Sequence, residues 1–146
     1  MARVRFALPL DTIWLTGTVL WGEACVLCER EDAAPLLLER LLPWVDQVAF
    51  TGLAVHGGVS RVAAELAAML DREDADELFS VAEALHERLR APAFLARTRA
   101  GWARWLARRG ETAKATEVAE RARDAAEACG CPHLASRADI GGVTAR

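Results

Sequence analysis

Tyrosine is absent from this chain, lysine occurs once, at Lys114, and proline only five times in 146 residues. Without tyrosine there is no interleaved aromatic platform on which bases could stack, and no groove-reading module accompanies the arginines, so direct nucleic-acid binding is not expected. The few prolines and ten glycines fall almost entirely where helices should stop, which leaves long segments free to be helical. No apolar run can span a bilayer, since the uncharged stretch from Thr12 to Gly22 is eleven residues. Met1-Ala-Arg-Val-Arg5 opens like a signal peptide, but Asp11 interrupts the apolar run and no small-x-small cleavage site follows. The expectation is a cytoplasmic protein without membrane association. Also missing are a G-x-x-x-x-G-K-[ST] phosphate loop, a glycine-rich nucleotide fingerprint, a Ser-His-Asp order and a paired-carboxylate site. Neither enzymatic activity nor a cofactor is therefore expected.

What is present is a three-fold pattern. Trp21-Gly22-x-x-Cys25, Val62-Ala63-x-x-Leu66 and Trp102-Ala103-x-x-Leu106 align at steps of 41 and 40 residues. A second trio follows each: Ala34/Leu38/Leu41, Ala75/Phe79/Ala82 and Ala115/Ala119/Ala122. Large and small side chains in this order are what two antiparallel helices need if their backbones pack closely and the pair then stacks on the next. A chain of this length buries about 70% of its unfolded surface without disulfides or metal.

Stop and start signals divide the chain. Asp11-Thr12 should cap a first helix to about Arg30, and Asp32 a second ending near Pro43. Residues 43 to 58, with Pro43, Gly52 and Gly57-Gly58, read as a long connection carrying the apolar anchors Trp44, Val48 and Phe50. Val59 or Ser60 opens a third helix to about Leu70, Asp74 caps a fourth through Leu89, Pro92 starts a fifth ending at Gly110, and Thr112 starts a sixth ending at Gly130. A short segment after Pro132 caps the series. The expected organisation is a flexible lead-in at 1–10, one helical-repeat domain at 11–140 and a flexible tail at 141–146.

Charge is laid out unevenly. From Glu23 to Glu87 there are fourteen acidic and four basic residues, and from Arg88 to Arg123 ten basic and three acidic. Such polarity can steer a charged partner, dock repeat on repeat, or simply solvate helix faces.

The repeated spacing resembles tetratricopeptide repeats over about residues 15 to 132. Leu37 to Trp44 (LLERLLPW), Ala93 to Arg99 (AFLARTR) and Trp102 to Gly110 (WARWLARRG) resemble more narrowly the C-terminal repeat region of bacterial signal-transduction ATPases, LuxR-type (maltose-activator-like) transcriptional regulators and cyclase-ATPase proteins. The resemblance implies an all-α fold, a right-handed superhelix of three extended helix-turn-helix repeats of about 40 residues each with a short C-terminal capping helix. It implies a non-catalytic protein-interaction or signal-input module, stand-alone or part of a longer regulator. Carried over position by position, it selects Glu23, Ser60, Ala64, Arg97, Arg104 and Arg108 as lining a groove for a protein or peptide partner. The three arginines suit an acidic peptide or terminal carboxylate; alternatively they pair with the acidic second helix of a neighbouring repeat. Because terminal repeats expose apolar faces, a homodimer through the Trp14 end or the final segment is a further expectation.

One rival reading remains, a small metal-binding or redox protein built on Cys25, Cys28, Cys129, Cys131 and His133. Against it, Cys25 holds the repeat position of Leu66 and Leu106, which makes it a core residue. His56, beside Gly57-Gly58, reads as a loop-surface residue, and His86, flanked by Glu83, Glu87 and Arg88, as part of a solvated face.

Overall fold

The protein is described from a computed structural model over residues 13 to 136; the expected lead-in, the Asp11-Thr12 cap and the tail from Gly141 lie outside those residues. Within them the chain is mostly helical: α1 (Trp14–Leu27), α2 (Ala34–Leu41), a 3-10 turn (Leu42–Trp44), β1 (Val48–Phe50), β2 (Val55–Gly58), α3 (Val59–Met69), α4 (Ala75–Arg88), α5 (Pro92–Arg108), α6 (Thr112–Ala128) and α7 (Pro132–Ala135). It forms two compact units, one up to Leu78 and one from Phe79.

In the first unit α1, α2 and α3 pack on one another. In α2, Ala34, Leu37, Leu38 and Leu41 are buried at i, i+3, i+4 and i+7, the inward stripe of an amphipathic helix. The three helices meet at Gly22. A Cβ there would lie 2.5 Å from Val62 Cγ1, 3.4 Å from Leu66 Cδ1 and 3.5 Å from Leu41 Cδ1. Val62 is buried and β-branched, hence unable to swing aside, so the glycine of the first block is a requirement of close helix approach.

The segment expected to be a plain connection is more ordered than its composition suggested. After the 3-10 turn it forms an antiparallel hairpin with Val48 opposite Gly58, Ala49 opposite Gly57 and Phe50 opposite Val55, broken by an irregularity between Ala49 and Phe50. Ala49 is buried, whereas Phe50, Leu53 and Val55 are exposed. Thr16 Oγ1 donates to the Phe50 carbonyl at 3.2 Å, tying the hairpin to α1, and the Val59 amide donates to the Gln47 carbonyl at 3.0 Å, tying it to the start of α3. Trp44 meets Trp14 edge-on at 6.1 Å. Strands this short give no readable alternation, which is why periodicity missed them.

In the second unit the rest of α4 meets α5 and α6, and α7 packs on both of those. Phe79 stacks on Trp102 at 6.1 Å and tilts against Trp105 at 6.4 Å. Across from these rings α6 offers Ala115, Val118, Ala119 and Ala122, all buried, so small residues on one helix make room for indoles on the other. Lys114 Nζ and the Arg109 guanidinium lie 5.2 and 5.3 Å from the centroids of Trp102 and Trp105, covering the rings with cations. A second small cluster joins Ala96, Ala125, Ala126 and Leu134.

Of the eighteen positions in the three-fold pattern, Trp21 alone is half-buried and the rest are buried. Helix endings repeat as well. α1, α3, α4, α5 and α6 each close with an amide donating to the carbonyl five residues back, Arg30 to Cys25, Arg72 to Ala67, Ala91 to His86, Glu111 to Leu106 and Cys131 to Ala126, every one at 3.0 Å. The residue before each donor has positive φ, namely Glu29, Asp71, Arg90, Gly110 and Gly130, the Schellman ending. Only the last two are glycine.

One cap differs from expectation. Asp32 does not cap α2, whose N-cap is Ala33; its carboxylate instead receives Arg30 Nε and NH2 at 2.9 and 3.0 Å. Asp74, placed just before α4, takes the same fork from Arg72 at 2.9 and 2.7 Å, and that guanidinium holds the Asp74 carboxyl below the usual carboxylate range. Behind both lies a sequence repeat that the helical pattern obscured, Glu-Arg-Glu-Asp-Ala at 29–33 and Asp-Arg-Glu-Asp-Ala at 71–75.

Candidate partner-binding surface

The six groove residues divide between the units, with Glu23, Ser60 and Ala64 in the first and Arg97, Arg104 and Arg108 in the second. Ser60 and Ala64 are fully enclosed, so neither side chain presents an open groove wall to a partner. Glu23 is engaged within the chain. Its carboxylate accepts from Arg61 NH2, while Arg61 NH1 donates to Glu65 Oε2 at 3.0 Å, one helical turn along. Arg61 is 0% exposed and its partners are 18% and 14% exposed, so a charged group sits wholly inside with two carboxylates at the rim. Among the described residues Arg61 Nε and the neighbouring Ser60 Oγ have no hydrogen-bond partner, a desolvation cost the ion pairs must offset. Sequence reasoning missed Arg61. Its signal was the i,i+4 spacing to Glu65 in a helix start otherwise free of charge.

In α5 the arginines have different tasks. Arg99, not among the expected residues, donates from Nε to Glu83 Oε1 at 2.5 Å, from NH2 to Glu87 Oε1 at 2.7 Å and from NH1 to the Arg121 carbonyl at 3.2 Å. Arg121 also donates to Glu83, so one glutamate of α4 joins α5 and α6. This is the docking of basic helix on acidic helix that the charge layout allowed, made by an arginine on another face. Arg97, Arg104 and Arg108, spaced by seven and four, fall in one line along α5; the first two are half-buried and Arg108 is exposed. Each of the three also interacts with its own chain.

The histidines differ from expectation. His86 is no part of a solvated face: it is buried, its Nδ1 lies 3.1 Å from Thr98 Oγ1, and its ring stacks on Phe94 at 5.4 Å. Charged neighbours in sequence hid this, because on a helix the residues beside a buried position point elsewhere. His56 lies half-buried in β2, not on a loop.

Cys25 is buried, and its thiol donates to the Arg30 carbonyl at 3.0 Å, as a core position predicts. Cys28 is exposed, Cys129 and Cys131 half-buried, and all four are free thiols. Among the described residues no group of three or more His, Cys, Asp or Glu is arranged to hold a metal ion. Burial, aided by the nearby Asp32 carboxylate, pushes the Cys25 thiol above the ordinary range, and a hydrogen bond with Cys129 does the same for Cys131. For a raised thiol the folded form is favoured while the group stays protonated, and that contribution is lost as pH rises through its value. A limiting thiol reagent at pH 8 should therefore modify Cys28 first and Cys25 last, read by peptide mass mapping; early labelling of Cys25 would contradict its enclosure.

Among the described residues no helix is long and apolar enough to cross a membrane. Comparison of the chain with protein-family models, curated proteins and solved structures finds no match.

Proposed function

We propose that this chain is a tetratricopeptide-like stack of three extended helix-turn-helix repeats, serving as a non-catalytic protein-interaction or signal-input module of a bacterial regulator. The recurrence of enclosed large and small positions in all three blocks, with one helix ending used five times, supports the repeat reading. The partner is an acidic protein or peptide lying along α5.

The observation that carries this is the line that Arg97, Arg104 and Arg108 form along α5, on a different face from Arg99 and ending at the exposed Arg108. Planar forks on one face bind carboxylates in pairs. Single exposed ion pairs are worth about 0–1 kcal/mol, so a useful partner must bring several carboxylates.

The test is fluorescence anisotropy with a labelled glutamate-rich peptide ending in a free carboxylate. Arg104→Glu with Arg108→Glu should weaken binding about tenfold or more, and added salt should weaken the unaltered chain similarly. Equal affinity of the two proteins would remove α5 from consideration.

A further inference from the structure

The joint between α6 and α7 carries two of the four cysteines with one glycine between them, Cys129-Gly130-Cys131. Cys129 caps the end of α6, Cys131 caps the start of α7, and Gly130 turns the chain between them with φ +67°. The turn is fixed from both sides, since the Cys129 amide donates to the Ala125 carbonyl at 3.3 Å and the Cys131 amide to the Ala126 carbonyl at 3.0 Å. A left-handed residue mirrors a helical one, so it spaces the flanking Cα atoms as two helix steps do, about 5.4 Å for a radius of about 2.3 Å and a rise of about 1.5 Å. That lies inside the roughly 4.4–6.8 Å that a disulfide spans. The side chains agree with the backbone. Cys129 Sγ donates to the Ala126 carbonyl at 3.3 Å and Cys131 Sγ to the Cys129 carbonyl at 3.5 Å, so both sulfurs turn back along the end of α6, where they also share a hydrogen bond. Both residues are half-buried against Ala96, Ala125, Ala126 and Leu134, while Gly130, Pro132 and His133 beside them are exposed and leave the pair open to a small molecule.

We propose that Cys129 and Cys131 form a dithiol that exchanges with small-molecule disulfides, its oxidised form being a bridge across Gly130. A thiolate of the pair attacks one sulfur of the incoming disulfide, whose bond breaks as a thiolate leaves with the electron pair. The second cysteine, once deprotonated, attacks the protein sulfur of this mixed disulfide, forms the internal bond and releases the second thiolate. Two electrons thus pass from the two protein thiols to the disulfide, and their two protons end on the two released thiols. Closing the bridge costs the fold only two weak sulfur hydrogen bonds, because the Ala126 carbonyl keeps the Cys131 amide. So short a loop removes little freedom from the unfolded chain, so the bridge gains little stability and stays reducible. The other two cysteines are arranged differently. Cys25 is buried with its thiol on the Arg30 carbonyl, so exchange at the exposed Cys28 stops at the mixed disulfide.

This pair is distinct from the α5 arginines, and either proposal can fail without the other. The test is equilibration of the whole chain, with Cys28→Ser to remove the exposed thiol, against glutathione and glutathione disulfide, followed by acid quenching, alkylation and peptide mass mapping. The chain should lose about 2 Da, with Cys129 and Cys131 in one bridged peptide and Cys25 still a thiol. The bridged form should exceed the mixed disulfide about tenfold or more at ~1 mM glutathione, because the second sulfur is already in place. Cys129→Ser and Cys131→Ser should each stop at a mixed disulfide, about 305 Da heavier, with circular dichroism unchanged. Unfolding in urea should lower the ratio of bridged to mixed form about tenfold, since nothing then holds Gly130 left-handed or the sulfurs in contact. A mixed disulfide that persists in the intact pair, a pair left fully alkylated in excess glutathione disulfide, bridging to Cys25, or an equal ratio in urea would each overturn the proposal.

Discussion

Replacing Glu23 and Glu65 together by glutamine lowers the unfolding free energy by about 3–5 kcal/mol, read as a fall in the urea midpoint at unchanged m-value. Arg61 is wholly enclosed, and its charge is compensated by these two carboxylates, while Nε has no partner among the described residues. Glutamine keeps the shape and an acceptor oxygen but leaves a cation in a place water does not reach. The reverse change is milder. Arg61→Met leaves two glutamates that are 18% and 14% exposed and can turn toward solvent, so a loss of about 1–2 kcal/mol is expected. The order of the two variants is the critical result: if Arg61→Met were the more damaging, the larger cost would lie in the two glutamates left without their cation and not in the enclosed guanidinium.

Phe79→Ala removes about 3–5 kcal/mol from the second unit and abolishes much of its near-ultraviolet circular dichroism. Phe79 is fully buried and fixes two indoles at once, stacking on Trp102 and tilting against Trp105. The two indoles that Phe79 contacts are rigid rings and cannot collapse to fill the void, so the cavity persists and the upper part of the range applies. Phe79→Leu, which keeps most of the volume, should recover more than half of the loss. Equal damage from both changes would mean that the aromatic stack, rather than filled space, holds these rings.

The sequence was sufficient for the helices and their inward faces. Large and small residues at helical spacing marked Val62, Leu66, Trp102, Leu106 and Ala119 as core, Pro92 and Thr112 marked helix starts, and Gly110 and Gly130 marked ends, because each signal depends on backbone geometry within one or two turns. The site was legible only in part. The line of Arg97, Arg104 and Arg108 follows from spacing alone, but that Arg99 is the arginine consumed by Glu83 and Glu87 depends on which faces of α4 and α5 meet. Similarly, nothing local distinguishes His86 from a surface histidine, or Ser60 and Arg61 from residues at a solvated helix start. Their burial is imposed by neighbours distant in sequence. Local conformational preference is encoded residue by residue and can be read that way; enclosure, ion pairing and the sharing of a glutamate among three helices arise only when separate segments exclude water from one another, which is a property of the assembled chain.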